Sequence, residues 1–310
     1  MGKQENCQVA VSLSVASDHV SLPIVWRLYL PESWANDQER RRSAGVPSGI
    51  AFQTKPAIAL AQIRQAVEQG IPNAPVLADA AYGNDSQFRE GLTDLHLLYA
   101  VGVHENMTVW PQGETPQPKP RRPGKGRPPT RLHRDAEHRP AAVQELALAL
   151  PEQAWKTVTW REGTRHKMKS RFAAVRVRPA HRDHLRSEPY PQEWLLIEWP
   201  KGETEPTKYW LSTLPPQNRL TALVRLAKHR WIIERDYEEL KQELGLGHYE
   251  GRGWRGFHHH ATLCIAAYGF LAIERSRFSP SARAGRLELR AARIPPHFQP
   301  CGSSRARRTA

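Results

Sequence analysis

The chain has 310 residues, 39% of them hydrophobic, which is enough for a sizeable core and excludes a peptide-sized module. Lys and Arg outnumber Asp and Glu by 45 to 31, and the formal charge of +14 with a pI near 10.0 favours a polyanionic partner, nucleic acid foremost, over an acidic metabolite. No apolar run approaches the roughly 18 residues of a spanning helix, the opening MGKQENCQ lacks the basic and apolar regions of a secretory signal, and Cys7, Cys264 and Cys301 form no CxxC pair, so membrane, secreted disulfide-framework and zinc-ribbon classes recede.

A cytoplasmic, nucleoid-associated protein with reduced thiols is therefore expected. Residues 7–16 and 20–30 are rich in β-branched and apolar residues on either side of Ser17-Asp18-His19, which predicts an antiparallel hairpin. Residues 31–54 show no sustained periodicity and read as a loop. Ile58, Ala61, Ile63 and Val67 recur near helical spacing and predict a helix over 55–69. Pro75-Val76-Leu77-Ala78-Asp79 is a short buried-type strand ending on a carboxylate, followed by Tyr82-Gly83 and a helix start at Asn84-Asp85-Ser86. A further strand is expected over 97–103.

Composition then shifts. Residues 111–140 are dense in proline and carry Lys119, Arg121, Arg122, Lys125, Arg127, Arg131 and Arg134, so a disordered or extended basic linker is expected. Within it, Pro123-Gly124-Lys125-Gly126-Arg127-Pro128-Pro129 resembles a minor-groove hook, the alternative being phosphate attraction without sequence preference. Strand-like segments at 155–160, 171–178, 194–199 and 208–212 make an all-β block. Its tryptophans Trp155, Trp160, Trp194, Trp199 and Trp210 either pack that block or stack on bases. After Pro215-Pro216 one long helix is expected over about 218–244, stopping at Gly245, with an apolar helix near 258–274 behind it. His258-His259-His260 points in different directions round that helix, which favours a polar surface over a metal site.

At about 100° per residue, Leu226, Ile233, Tyr237, Leu240 and Leu244 form the buried stripe of the long helix, and Arg230, Glu234 and Lys241 lie on an adjoining ribbon. A carboxylate between two cations at the edge of a buried face suits a cleft that holds a metal and phosphates. The alternative is an i, i+4 Arg–Glu pair on a solvated helix.

Arg230-Trp231-Ile232-Ile233-Glu234 with Lys241 resembles the R-x3-E-x6-K part of the Y-x2-R-x3-E-x6-K signature of one branch of bacterial insertion-sequence DDE transposases, although Ala227 stands at the tyrosine position. Val76-Leu77-Ala78-Asp79-Ala80-Ala81-Tyr82-Gly83 is similar to the strand that bears that family's second aspartate. The resemblance implies an α/β, RNase H-like mixed sheet with helices on both faces and an all-β insertion between the second and third acidic motifs. It implies Asp79 and Glu234 as catalytic residues and metal ligands, Mg²⁺ or Mn²⁺ as paired ions, and Arg230 and Lys241 on phosphates. It also implies DNA partners (transposon ends and target) and a homodimer in a synaptic complex. The expected organisation is a core over 5–110, a disordered linker over 111–140, the β insertion over 141–215, a helical part with the Glu motif over 216–275, and a disordered tail over 276–310.

In that family the first aspartate lies on a central strand ahead of the present hairpin. Asp18, in a hairpin turn, does not replace it. The expectation is therefore an N-terminally truncated, catalytically impaired transposase copy, the alternative being a non-catalytic DNA-binding remnant or a domesticated transposase-derived protein. A basic interaction module unrelated to recombination would leave both acidic motifs unexplained. The purified protein is expected to bind DNA with modest sequence preference and an affinity that falls linearly on a log–log plot against salt. A fluorescence-anisotropy titration giving equal affinity at low and moderate salt would contradict this.

Overall fold

The computed structural model describes residues 8–18, 20–118, 130–135, 138–162 and 167–278. Alternating apolar residues give the first two strands, β1 (Ala10–Ala16) and β2 (Ser21–Leu28), which pair antiparallel with Ala10 opposite Leu28 and Ala16 opposite Ser21. Asp18 sits exposed in the turn and pairs with Arg225 at 2.5 Å. The stretch expected to be a loop contains two short helices, α1 (Glu32–Ala35) and α2 (Gln38–Ser43). The latter is capped by Asp37, which accepts from the Arg40 N–H at 3.0 Å, a local bond that hydrophobic periodicity does not register. Helix α3 (Lys55–Glu68) starts at Thr54, whose hydroxyl accepts from the Ala57 N–H, and turns Ile58, Gln62, Ile63 and Ala66 inward.

Strand β3 (Val76–Ala78) leads through α4 (Ala80–Gly83) and α5 (Ser86–Asp94) to β4 (Tyr99–Val103), which lies parallel to it. The crossover is tight. A Cβ on Gly83 would lie 1.9 Å from the Gly102 carbonyl oxygen, and one on Gly102 would lie 3.0 Å from the Ala80 nitrogen, so glycine at both positions is what lets α4 sit against β4.

Next come β5 (Thr108–Trp110), β6 (Gln117–Pro118), β7 (Leu132–His133), β8 (Ala141–Ala142) and α6 (Val143–Leu148). The flanks of the segment expected to be disordered are thus ordered: β6 pairs antiparallel with β7, and β8 pairs with β5. The reason lies elsewhere in the chain. Buried Asp183 accepts from the Trp110 indole at 2.6 Å and from Arg134 Nε at 3.0 Å, and the Leu132 N–H donates to the Arg186 carbonyl at 3.0 Å. The ends of the proline-rich stretch are thereby held by charge-assisted hydrogen bonds that composition does not reveal.

The β block comprises β9 (Lys156–Glu162), β10 (Lys167–Pro179), β11 (Glu193–Trp199) and β12 (Lys208–Ser212). It is joined edge to edge with the first half of the chain, because β12 pairs antiparallel with β4, Tyr209 opposite Val103. The result is one eight-stranded mixed sheet, mostly antiparallel, in the order β3-β4-β12-β11-β10-β5-β8 with β9 on β10. A second sheet is the β1–β2 hairpin.

Period-two alternation puts the two faces of the large sheet to different uses. Ala173, Leu195, Ile197 and Leu211 pack with Ile63, Phe88 and Leu92 of α3 and α5. Phe172, Leu196 and Trp210 face Leu223, Val224 and Ala227 of α7 (Leu220–Lys228). Helices therefore cover both faces, and the five tryptophans of the β block lie within or against these clusters. Lys228, at the end of α7, pairs with Glu198 at 2.5 Å, and its ammonium lies over the rings of Trp160 and Trp210. Burial pushes the Lys228 pKa down, and the Glu198 carboxylate opposes the shift.

Helices α8 (Trp231–Gln242) and α9 (Trp254–Phe278) complete the chain. From Phe270 the chain forms a second compact unit, within whose described part Glu274 pairs with Arg277 at 2.7 Å. No helix among the described residues is long and apolar enough to cross a membrane.

Two substitutions test this packing. Gly83→Ala is expected to lower stability by about 3 kcal/mol, since backbone must move to admit the methyl group. Lys228→Ala is expected to cost about 3–5 kcal/mol by leaving Glu198 buried without its partner. Urea midpoints within error of the wild type for either variant would contradict the respective contact.

Candidate active site

Asp79 follows the last residue of β3, and its side chain caps α4 by accepting from the Ala81 N–H at 3.0 Å. The turn beyond it is tied down. The Asn84 amide donates to the Ala80 carbonyl at 2.8 Å and its oxygen accepts from the His104 N–H at 3.1 Å, while Arg89 donates to the Gly83 carbonyl. Asp79 is exposed on a backbone that cannot easily shift.

Glu234 lies on α8, and here the structure corrects the single helix expected over 218–244. The chain breaks at His229 and Arg230, where the N–H groups of His229, Ile232 and Ile233 bond to carbonyls three residues back, a tighter winding than the α-helix. No glycine or proline marks the break. Its effect is to rotate α8, so that Ile232, Asp236 and Leu240 are the buried residues. Of the expected stripe, Leu240 is buried, whereas Leu226, Ile233, Tyr237 and Leu244 are only half-buried.

Several contacts hold α8 in place. The Tyr268 hydroxyl donates to buried Asp236 at 2.7 Å, the Tyr237 hydroxyl hydrogen-bonds the Ser12 hydroxyl, and the Tyr237 ring stacks on Trp26 with centroids 6.0 Å apart. Burial pushes the Tyr237 pKa up.

Between these elements is a cleft of about 620 Å³. Asp79 and Tyr82 line it, as do Arg230, at the N-cap of α8, and Glu234, Glu238 and Lys241 of α8 itself. Four residues singled out from sequence, Asp79, Arg230, Glu234 and Lys241, therefore share one cavity. Glu234 is 65% exposed and pairs with Arg230 at 2.8 Å. Sequence reasoning missed Glu238, although its i, i+4 spacing from Glu234 puts it on the same helix face. It also missed Tyr82, whose pKa is pushed up by burial first and by the Asp79 charge second. Lys119, Arg121, Arg122, Lys125 and Arg127 lie outside the described residues.

Carboxylate oxygens are the right kind of donor for Mg²⁺ or Mn²⁺, which take several oxygen ligands. Asp79 and Glu234 are partly engaged already, by a backbone N–H and by Arg230. Among the described residues no three His, Cys, Asp or Glu side chains gather to hold an ion, so these residues do not by themselves complete a site for paired metals. The three consecutive histidines do not either. His258 and His260 hydrogen-bond the carbonyls of Trp254 at 2.8 Å and Gly245 at 3.0 Å.

No curated protein matches the chain. A family model described as DDE superfamily endonuclease matches residues 1–167, more than half of the 310. The matched stretch includes Asp79 and ends before Glu234. The family acts on DNA and is in general dependent on divalent metal, and the mixed sheet with helices on both faces is RNase H-like. The chain belongs to the DDE superfamily endonucleases.

Proposed function

We propose that the protein is the strand-cleaving and strand-joining part of an insertion-sequence transposase, with Asp79 and Glu234 in its carboxylate set and Arg230 and Lys241 on DNA phosphates. The observation that carries this reading is the shared cleft: an aspartate at a strand end and an Arg–Glu–Lys ribbon on α8, remote in sequence, line one cavity. In the reaction a water or a DNA 3′-hydroxyl attacks phosphorus, and the bond to the leaving oxygen breaks in line.

Arg230 and Lys241 neutralise non-bridging phosphate oxygens, where negative charge is concentrated. The Arg230–Glu234 pair is exposed, and such pairs contribute only about 0–1 kcal/mol. A phosphate can therefore displace Glu234 from Arg230 at little cost, which frees the carboxylate as the substrate arrives. The homodimer implied by the resemblance would place two such clefts on two transposon ends.

A second reading is favoured by the lack of a three-donor group among the described residues: a copy impaired in cleavage that keeps its DNA affinity. The first reading predicts Mn²⁺-dependent nicking of supercoiled DNA that Asp79→Asn or Glu234→Gln removes while DNA affinity is kept, and the second predicts DNA binding with little or no nicking. Nicking that persists in both variants would rule out this assignment. Arg230→Gln and Lys241→Gln should each lower the log–log salt slope of binding by about one. Unchanged slopes would show that α8 does not contact phosphate.

A further inference from the structure

The break between α7 and α8 contains no glycine or proline, yet it sets which side of α8 meets the cleft. A tightened turn between helical segments is a strained or hinge-like place, so contacts from outside the segment have to hold it. The residues on either side of the break are Lys228, the last of α7, and Trp231, the first of α8. One strand holds both. The Trp160 ring of β9 has its centre 4.8 Å from the Lys228 ammonium, and the Arg161 guanidinium lies 3.6 Å from the centre of the Trp231 ring.

Neighbouring residues of a regular strand point to opposite faces, so Trp160 and Arg161 would ordinarily be unable to reach residues three positions apart on joined helices. A β-bulge removes the difficulty. Thr159 lies opposite Lys169 of β10 and Arg161 opposite Met168, which leaves Trp160 as the extra residue without a counterpart. A bulge of this kind bends and twists its strand and re-aims the side chains at it.

Other strands of the sheet close the Lys228 side. The ammonium lies 5.5 Å from the centre of the Trp210 ring and 5.8 Å from that of Phe172, and it pairs with Glu198, whose side chain is 4% exposed. A cation enclosed by three rings and a carboxylate has little room to move, and it ends α7 at a fixed point on the sheet. On the other side, a planar guanidinium stacked on the indole restricts the tilt of Trp231 and with it the direction of the first turn of α8. Farther along, the Asp236–Tyr268 bond and the Tyr237–Trp26 stack hold α8 independently. The clamp therefore governs the start of the helix, where Arg230 is the N-cap.

We propose that Trp160, Arg161 and Lys228 are positioning residues: through the bulge in β9 they fix the helix break and thereby aim Arg230 into the cleft. None of the three lines the cleft, so the inference rests on the reading of Arg230 as a phosphate contact.

Two variants loosen the clamp without changing net charge. Lys228→Met combined with Glu198→Gln removes the ion pair and leaves no unpaired buried charge, a replacement that folded proteins tolerate. Trp231→Leu removes the platform for Arg161 at a half-buried position. In the full chain without DNA, amide exchange followed by NMR is expected to rise about tenfold at Ile232 and Ile233, whose bonds define the break, and to stay at the wild-type rate at Val101 of β4. The log–log salt slope of DNA binding is expected to fall by about one in each variant, as for Arg230→Gln. Adding Arg230→Gln to either should lower it no further, whereas adding Lys241→Gln should lower it again by about one. Unchanged exchange at Ile232 and Ile233 would overturn the clamp. Exchange that rises at Val101 as well would mean a general loss of stability and would overturn a positioning role, as would full additivity of Arg230→Gln with the clamp variants. If Arg230→Gln alone leaves the slope unchanged, the phosphate reading fails; the exchange measurement, which involves no DNA, decides the clamp separately.

Discussion

The backbone pairing of β4 is the constraint on which the rest of the structure depends. All five of its residues are buried, and it is bonded on one side to parallel β3 and on the other to antiparallel β12. A strand without access to water has to satisfy every N–H and C=O within the protein. That requirement brings β12, Tyr209 opposite Val103, into the sheet whose edge strand precedes Asp79. It also explains the glycine pair. With β4 fixed by two neighbours, α4 reaches Asp79's position only by pressing Gly83 onto Gly102.

The second wall of the cleft depends on a local departure from regularity. Had α7 and α8 been one straight helix, Ile233 and Tyr237 would have been buried with Leu226, as the periodicity predicts. The tighter winding at His229–Arg230 instead buries Ile232 and Asp236 and leaves Ile233, Glu234 and Tyr237 facing the cleft. A uniformly wound helix would have kept the hydrophobic stripe and turned the charged ribbon elsewhere. The site exists because packing against Tyr268 and Trp26 outweighs the ideal helical repeat.

Much of this was legible in the sequence where one local rule governs. The hairpin, the strand before Asp79 and the helix over 55–68 follow from alternation, a short apolar run and apolar residues at helical spacing, and the strands over 193–199 and 208–212 were readable within a residue of their ends. What escaped depends on partners distant in sequence. The order at 117–118 and 132–133 rests on Asp183 and Arg186, and the break at 229–230 has no signal of its own. The fusion of the β block to the core lies in register between β4 and β12, which no single-segment pattern encodes. At the site, the charged residues were legible from motif spacing. Glu238 and Tyr82 were not, because exposed glutamates are common on helices and Tyr82 gains its perturbation only from burial beside Asp79.

The bond between the Tyr99 N–H and the Thr213 hydroxyl spans 114 residues of chain, and it belongs to the same seam that joins β4 to β12. Closing a seam of that span requires ordering a long loop before any ladder contact rewards it, which is how non-local topology slows folding. Until it closes, β3 and β4 present apolar edges to solvent with β12 still unmade. A nascent chain would therefore pass through a stage in which β3 and β4 wait for residues synthesised more than a hundred positions later, and the time needed for synthesis becomes part of the protein's folding problem.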